Sequence, residues 1–480
     1  MAKKDEIVGK ALDEFLSWFP KEKYTSNRSE GDSSKRGFHI RPAKLLPTVK
    51  PGEELALTAV FLAAIKYIPE FRKQICTALG LTKTGKVHVF TEVSFPQLDK
   101  LKGKSADRID GLLIIEKSGI IEDAAFFESK QKANELDKKQ LEEYLEIAKK
   151  HRVPRLVTIS NQFVPNPNQM PLSLKVPKDV STNHLSWTYI LTVARILLFD
   201  NDINIENDAQ KALMQEIVDY FEHDVSGVLG FKQMKPGWKA TTEKIARGAN
   251  LKKDDSELIE AAESWVQEES DLALVLSREL GLMVKTSASR GTQTYEQRVQ
   301  RAIENAINGG FFESELFVDD AVSKIEVRVP LDRRTVEMRV SLSAPETKTL
   351  KGQFGWLRRQ LDQCARKSPE KWKDIEPELF VETNLKHQRV PEQVALKGID
   401  TFTESNKGHV AKTFNVLQIR QLGRDFESRK KFVDTIEDML KEYYGGVVQY
   451  LKNWDKPAPK MPSYSEPEPN DASVIIQGDS

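Results

Sequence analysis

The stretch DRIDGLLIIEKSGIIEDAAFFESKQK, residues 107–132, decides the fold that we expect for this chain. Its two apolar runs, LLII and AAFF, predict two buried strands. Between the runs, Lys117–Gly119 is the strongest turn signal, because Ser-Gly pairs favour tight turns. The stretch therefore predicts a β-hairpin with charged residues at its open end.

Three of these charged side chains are expected to meet. Folding at the turn brings Asp110 roughly opposite residues 127–130. Because side chains alternate along a strand, Glu128 and Lys130 are predicted to share a face, with Ser129 pointing away. Charges at the ends of buried runs need partners. Two carboxylates and an ammonium can hold a divalent cation and position a water molecule beside a phosphate.

Three motifs follow one another in this part of the chain: DRID at 107–110, ExK at 128–130 and QLEEY at 140–144. The last lies in a helical stretch. This ordered set resembles the PD-(D/E)xK nuclease superfamily in its RecB-like branch, over residues of about 50–165. The resemblance implies a restriction-endonuclease-like fold and a DNA nuclease that depends on Mg²⁺ (or Mn²⁺).

The same resemblance implies roles for individual residues. Asp110 and Glu128 would bind the metal, and Lys130 would orient or activate the attacking water. Gln140 and Tyr144, four residues apart on one helix face, would help to place DNA and the active-site groups.

Nucleases of this kind often take one more acid from the first helix. Glu54 is the first choice as the additional metal ligand, and Glu53 is its rival. Acids in a first helical turn also suit the helix dipole, so this position has a purely structural explanation too. Glu92, on the strand before Asp110, is a third candidate.

The fold class predicted by these patterns is α/β, a restriction-endonuclease-like mixed-sheet core flanked by helices, followed by a C-terminal α+β domain. Pro69 should kink or split a helix over 52–79, and residues 183–230 look helical. The predicted core order is helix, three strands, helix, strand, with strands at Val87–Phe95, Ile109–Glu116, Ala124–Lys130 and Arg155–Ser160.

With 480 residues the chain is too long for one core, and we expect several units. They are an N-terminal segment (1–36) with a short helix at 5–19 and a linker at 20–36, a nuclease domain with a helical extension (37–235), a C-terminal α+β domain of unknown role (236–455) and a Pro-rich, disordered tail (456–480).

Composition narrows the functional classes. The sequence has 72 basic and 72 acidic residues, so a nucleic-acid site would have to be a local patch. No run of eighteen apolar residues predicts a membrane span, and the N-terminal segment lacks the apolar core of a signal peptide, so we expect a cytoplasmic protein. Two cysteines, Cys76 and Cys364, cannot supply a four-cysteine metal site.

One further motif, Gly80–Val87, matches the GxxxxGK pattern of a phosphate-binding loop. Valine stands where a magnesium-binding Ser or Thr is needed, and a strand is predicted to follow in place of a helix. A nucleotide-hydrolysing motor is therefore not expected in this chain, and translocation along DNA would need a partner.

Three functions remain open at this point. The first is the metal-dependent nuclease, acting as a bacterial antiphage or restriction effector, with a helicase or ATPase subunit as a possible partner and a homo-oligomeric state. The second is a nuclease fold that binds DNA without cutting it. The third is a scaffold in a larger complex that makes no contact with DNA.

Overall fold

The computed structural model describes residues 6–18, 39–42, 53–95, 108–132, 134–287, 293–346 and 349–454, the second of these segments by its backbone alone. Within these residues the chain has a mixed α/β fold with two sheets. The predicted linker at 20–36 and tail at 456–480 lie outside the described residues.

The first sheet contains the predicted hairpin and follows the order of the chain. Its strands are β1 (His39–Pro42), β2 (Lys86–Ser94), β3 (Ile109–Lys117), β4 (Ile120–Ser129), β5 (Arg155–Ser160) and β6 (Ser181–Ser186). β1 to β4 pair antiparallel, whereas β5 and β6 extend the sheet parallel to β4. The ends of β4, β5 and β6 therefore meet at one edge, where α/β sheets commonly carry their sites.

The hairpin turn is where the sequence predicts it. β3 and β4 are joined by Ser118 and Gly119, with φ of 52° and 81°. Two consecutive positive φ values define the type I′ turn, whose twist matches that of paired strands.

Helices cover both faces of this sheet. They are α1 (Leu12–Leu16), α2 (Glu54–Tyr67), α3 (Pro69–Leu79), α4 (Lys138–His151), α5 (Trp187–Ile196) and α6 (Asp208–Glu222). The predicted split at Pro69 is confirmed, since α3 begins at this residue. α2, α3, α5 and α6 contribute to the hydrophobic core on one face, and α1 and α4 to that on the other.

The second sheet is antiparallel throughout, in the order β12-β11-β13-β10-β9-β8-β7. Its strands are β7 (Lys285–Thr286), β8 (Phe311–Phe317), β9 (Ile325–Pro330), β10 (Thr335–Ser343), β11 (Leu379–Leu385), β12 (Glu392–Ala395) and β13 (Ala411–Gln421). The accompanying helices are α7 (Pro236–Ala246), α8 (Ser256–Leu280), α9 (Tyr295–Gly309), α10 (Leu350–Lys367), α11 (Pro369–Ile375), α12 (Ile399–Ser405) and α13 (Arg429–Gly446).

Helix α5 of the first sheet contacts helix α8 of the second, which connects the two halves of the structure. Arg278 near the end of α8 donates a hydrogen bond from Nη1 to Thr192 Oγ1 in α5, at 3.0 Å. The indole of Trp187, the first residue of α5, in turn contacts the site described below. Thus α5 lies between the second sheet's longest described helix and the edge of the first sheet.

Two sequence predictions are wrong in detail. Residues 181–186 form β6 instead of a helix, because the polar side chains that hide the strand pattern find partners: His184 Nδ1 lies 2.8 Å from Thr158 Oγ1. The N-terminal helix is also shorter than predicted. Gly9 has a φ of 85°, and Ala11 forms a β-bridge with Ile120, which holds this segment extended.

Candidate active site

The candidate site lies where β3 begins and β4 ends. Gly111 pairs with Phe127, which places Asp110 alongside Glu128 and Ser129 on the neighbouring strand. Lys130 follows directly after the end of β4. The structure thus brings together the three residues that the sequence singled out.

Close packing of α2 explains why glycine follows Asp110. A Cβ atom at Gly111 would lie 2.7 Å from Leu62 Cδ1 and 3.1 Å from Phe127 Cβ. Contacts shorter than 3.0 Å force neighbouring atoms to shift, and helix α2 can approach the strand because this side chain is absent. Helix α2 therefore packs directly on the strand that begins beside Asp110.

Asp110 is fixed by its neighbour across the hairpin. Its Oδ2 accepts hydrogen bonds from the backbone N–H of Ser129 at 2.8 Å and from Ser129 Oγ at 3.1 Å. Burial raises the pKa of Asp110 to about 6, against the opposing effects of the Lys130 ammonium and of the Ser129 amide. The Asp110 carboxylate is therefore held in place by Ser129, and burial makes its ionised form less favourable than it is in water.

Glu128 is the most enclosed acid of the group, with 1% of its surface exposed. Its Oε1 accepts a hydrogen bond from Lys130 Nζ at 2.6 Å, whereas its Oε2 is buried without a hydrogen-bond partner among the described residues. Burial, and then repulsion from Asp110, raises the pKa of Glu128 well above its ordinary value. A buried carboxylate oxygen in this state gains from a cation.

Lys130 uses all three of its N–H donors. Its Nζ donates to Glu128 Oε1, to Glu54 Oε1 at 3.2 Å and to the carbonyl oxygen of Ser129 at 3.1 Å. Burial lowers the pKa of this ammonium, but the surrounding carboxylates, Glu128 first, raise it by more, so the net shift is upward. The backbone is also held, because Trp187 Nε1 donates to the Lys130 carbonyl oxygen at 2.8 Å.

The three candidate third acids have different surroundings. Both oxygens of Glu54 accept hydrogen bonds, Oε1 from Lys130 and Oε2 from the Gln131 N–H at 3.2 Å. Glu53 is the exposed N-cap residue of α2. Glu92 has a φ of 52° and accepts a hydrogen bond from Arg108 at 3.2 Å. Of the three, Glu54 is the one that contacts Lys130.

Gln140 and Tyr144 act on the backbone that leads into Asp110. Gln140 Nε2 donates to the Tyr144 hydroxyl at 2.8 Å, and this hydroxyl donates to the Arg108 carbonyl oxygen at 3.1 Å. Tyr144 is fully buried. The pair therefore anchors the entry to β3, a positioning role that explains why both residues stand in one turn of α4.

The carboxylate oxygens outside the hydrogen bonds given above are the ones that could bind a divalent cation. Asp110 receives the hydrogen bonds described for it on Oδ2, and Glu128 receives Lys130 on Oε1. Asp110 Oδ1 and Glu128 Oε2 are the oxygens left over, and carboxylate oxygens are the ligands that hard cations prefer. Within the described part of the chain, no three His, Cys, Asp or Glu side chains are grouped so as to hold a metal together. Asp110 and Glu128 are then the two carboxylates of the site with an oxygen that could reach a cation, since Glu54 is engaged by Lys130.

Sequence reasoning missed three contributors. Ser129 was expected to point away from Glu128 and Lys130 and was given no role, but its hydroxyl donates to Asp110 Oδ2. Thr58 and Trp187 contact the site from α2 and α5. The spacing of four residues between Glu54 and Thr58 is a signal that could have linked them, since such residues lie on one helix face.

No protein-family model matches this chain, and neither a curated protein nor a solved structure shows significant similarity to it. Among the described helices, none is both long and apolar enough to cross a lipid bilayer.

Proposed function

We propose that this chain is a DNA nuclease of the PD-(D/E)xK type that uses Mg²⁺ or Mn²⁺ to hydrolyse phosphodiester bonds. The observation that carries the proposal is the convergence of Asp110, Glu128 and Lys130 at one sheet edge, where Glu128 Oε2 is buried without a hydrogen-bond partner in the part of the chain that the structure describes. Structural acids at strand ends seldom bury an unpaired oxygen, because the desolvation cost is not recovered.

The architecture around the site supports the same proposal. A helix precedes three antiparallel strands, and a helix and a parallel strand follow. This is the element order that the resemblance implies for a restriction-endonuclease-like core. The active-site residues lie on its central hairpin, and α4 carries Gln140 and Tyr144 beside it.

In the proposed reaction the chain's own residues have separate tasks. Asp110 and Glu128 would hold the cation, which would supply a water molecule of lowered pKa and stabilise negative charge on the leaving oxygen. In the metal-free protein the nearby carboxylates raise the pKa of Lys130, which favours its protonated form, and as an ammonium it would orient the water and offset phosphate charge. Glu54 positions Lys130, in place of the metal-ligand role that the sequence suggested.

The remaining parts of the proposal concern context. The second sheet and its helices would supply DNA selection, oligomerisation or contact with a helicase or ATPase subunit, as expected of a bacterial defence effector. As further parts of this proposed context, we propose that the protein is cytoplasmic and forms a homo-oligomer.

One observation favours a second candidate, a subunit that binds DNA without cutting it. The ammonium of Lys130 already lies between Glu54 and Glu128 and has its three donors occupied. If this arrangement persists when DNA binds, the acids neutralise an internal cation and Lys130 does not reach a phosphate. The two candidates differ in whether cleavage occurs.

Cleavage of supercoiled plasmid tests the first candidate. We expect the wild type to nick or linearise the plasmid with Mg²⁺ or Mn²⁺ and not with EDTA, and Asp110→Ala and Lys130→Ala to be inactive. Glu122→Gln is the matched control, an exposed acid on the same hairpin at the opposite end of β4, and it should cut at the wild-type rate. Equal inertness of all four proteins, with DNA binding that weakens as salt rises, would establish the second candidate instead.

A further inference from the structure

A chain of two hydroxyl groups links helix α2 to Asp110. Thr58 Oγ1 lies 2.5 Å from Ser129 Oγ, and Ser129 Oγ lies 3.1 Å from Asp110 Oδ2. Thr58 and Ser129 are both fully buried. The contact therefore spans from the first turns of α2 to the end of β4 and on to the first residues of β3.

The number of protons sets the direction of this chain. Each hydroxyl has one proton, and Thr58 Oγ1 also lies 3.0 Å from the Glu54 carbonyl oxygen. An ionised Asp110 can only accept, so Ser129 directs its proton to Oδ2 and accepts in turn from Thr58, whose one proton then points to Ser129 Oγ at 2.5 Å and away from the Glu54 carbonyl oxygen at 3.0 Å. The Ser129 N–H also donates to Oδ2, so both Ser129 donors bind the same carboxylate oxygen, and neither of them binds Oδ1.

A purely structural explanation accounts for less of this arrangement. Threonine in a helix commonly bonds the carbonyl four residues earlier, and a buried serine needs some partner. Neither tendency explains why the backbone N–H and the hydroxyl of Ser129 both donate to the same oxygen of Asp110. Helix and strand are also held at a fixed spacing, because the rings of Phe61 and Phe127 meet edge to face at 5.9 Å.

We propose that Thr58 and Ser129 are positioning residues that present Asp110 Oδ1 to the divalent cation, an inference that rests on the proposed nuclease function. Glu54, one turn before Thr58 on the same helix face, positions Lys130. The first turns of α2 thus organise both halves of the site, the amine through Glu54 and the metal-binding carboxylate through Thr58 and Ser129.

The test compares three variants with the wild type. Thr58→Val removes the hydroxyl at constant shape, Thr58→Ser retains it, and Ser129→Ala removes the second member of the chain. Mn²⁺ affinity, measured by calorimetry without DNA, should weaken roughly tenfold in Thr58→Val and in Ser129→Ala, the usual effect of losing a residue that orients a ligand. Thr58→Ser should bind Mn²⁺ like the wild type. At limiting Mn²⁺, plasmid cleavage should fall in Thr58→Val and in Ser129→Ala but not in Thr58→Ser. At saturating Mn²⁺, cleavage by the two weakened variants should recover.

Thr77→Val is the matched control, because Thr77 is an exposed helical threonine of α3 whose Oγ1 donates only to the carbonyl oxygen four residues earlier among the described residues. It should leave Mn²⁺ affinity and cleavage unchanged. Wild-type affinity in Thr58→Val, or equal losses in Thr58→Ser and Thr58→Val, would overturn the inference while the nuclease function stands. A wild type that neither binds Mn²⁺ nor cuts DNA overturns the function itself. If Ser129→Ala does not fold, the pair of Thr58 variants still decides.

Discussion

Asp110→Asn is expected to abolish cleavage and, at the same time, to make the metal-free protein more stable. Asparagine still accepts a hydrogen bond from Ser129 but cannot supply the charge that holds a divalent cation. We expect cleavage to fall by at least about 10²–10³-fold, the scale for the loss of a preorganised electrostatic group. Stability rises because burial and the nearby acids make the ionised Asp110 carboxylate costly in the folded protein.

The gain in stability should depend on pH. A carboxyl group whose pKa is raised by folding loses its contribution to stability as the pH rises, here from its ordinary value of 3.8 through about 6. The melting temperature of Asp110→Asn should therefore exceed that of the wild type at pH 8, and the difference should shrink as the pH approaches 4. Thermal melts with EDTA across this range measure it. A variant that is inactive and also less stable at pH 8 would indicate a structural role for Asp110.

Lys130→Met is expected to have the opposite effect on stability and the same effect on cleavage. It removes the cation that neutralises Glu128, whose side chain is almost fully enclosed, and Glu54. Breaking a buried ion pair by deleting one partner costs up to about 3–5 kcal/mol, so the free energy of unfolding should fall markedly. Chemical denaturation in EDTA, with plasmid cleavage measured in parallel, gives both quantities.

A double variant separates the two roles of Lys130. Lys130→Met combined with Glu54→Gln removes one charge of each sign, so part of the lost stability should return while cleavage remains absent. Normal cleavage by Lys130→Met, or a loss of stability within about 0.5 kcal/mol as for an ordinary surface substitution, would contradict the role given to this ammonium.

The sequence predicts the hairpin and its open end because local signals agree there. The runs LLII and AAFF form the buried parts of β3 and β4, and Ser118-Gly119 supplies the two positive φ values of the turn. The turn length sets the pairing next to the turn, and a register shift between Ile115 and Glu116 then moves it by one residue, so that Asp110 lies beside Glu128 and not beside Phe127.

The parts that were not predicted depend on contacts between distant segments. β6 is polar in sequence, and its burial is tolerated because β5 and nearby loops supply hydrogen-bond partners. The role of Thr58 depends on how closely α2 approaches the sheet, which Gly111 permits and no local pattern announces. Glu54 was recognised as an acid near the site, but its partner, Lys130, lies 76 residues away in the chain.

Diffraction from a crystal soaked in Mn²⁺ tests the central claim most directly, because the anomalous signal locates the ion independently of activity. We predict a peak bound by Asp110 Oδ1 and Glu128 Oε2, with Lys130 still beside Glu54, and no peak there in Asp110→Asn crystals. An ion bound elsewhere, or none at this edge of the first sheet at saturating Mn²⁺, would contradict the account.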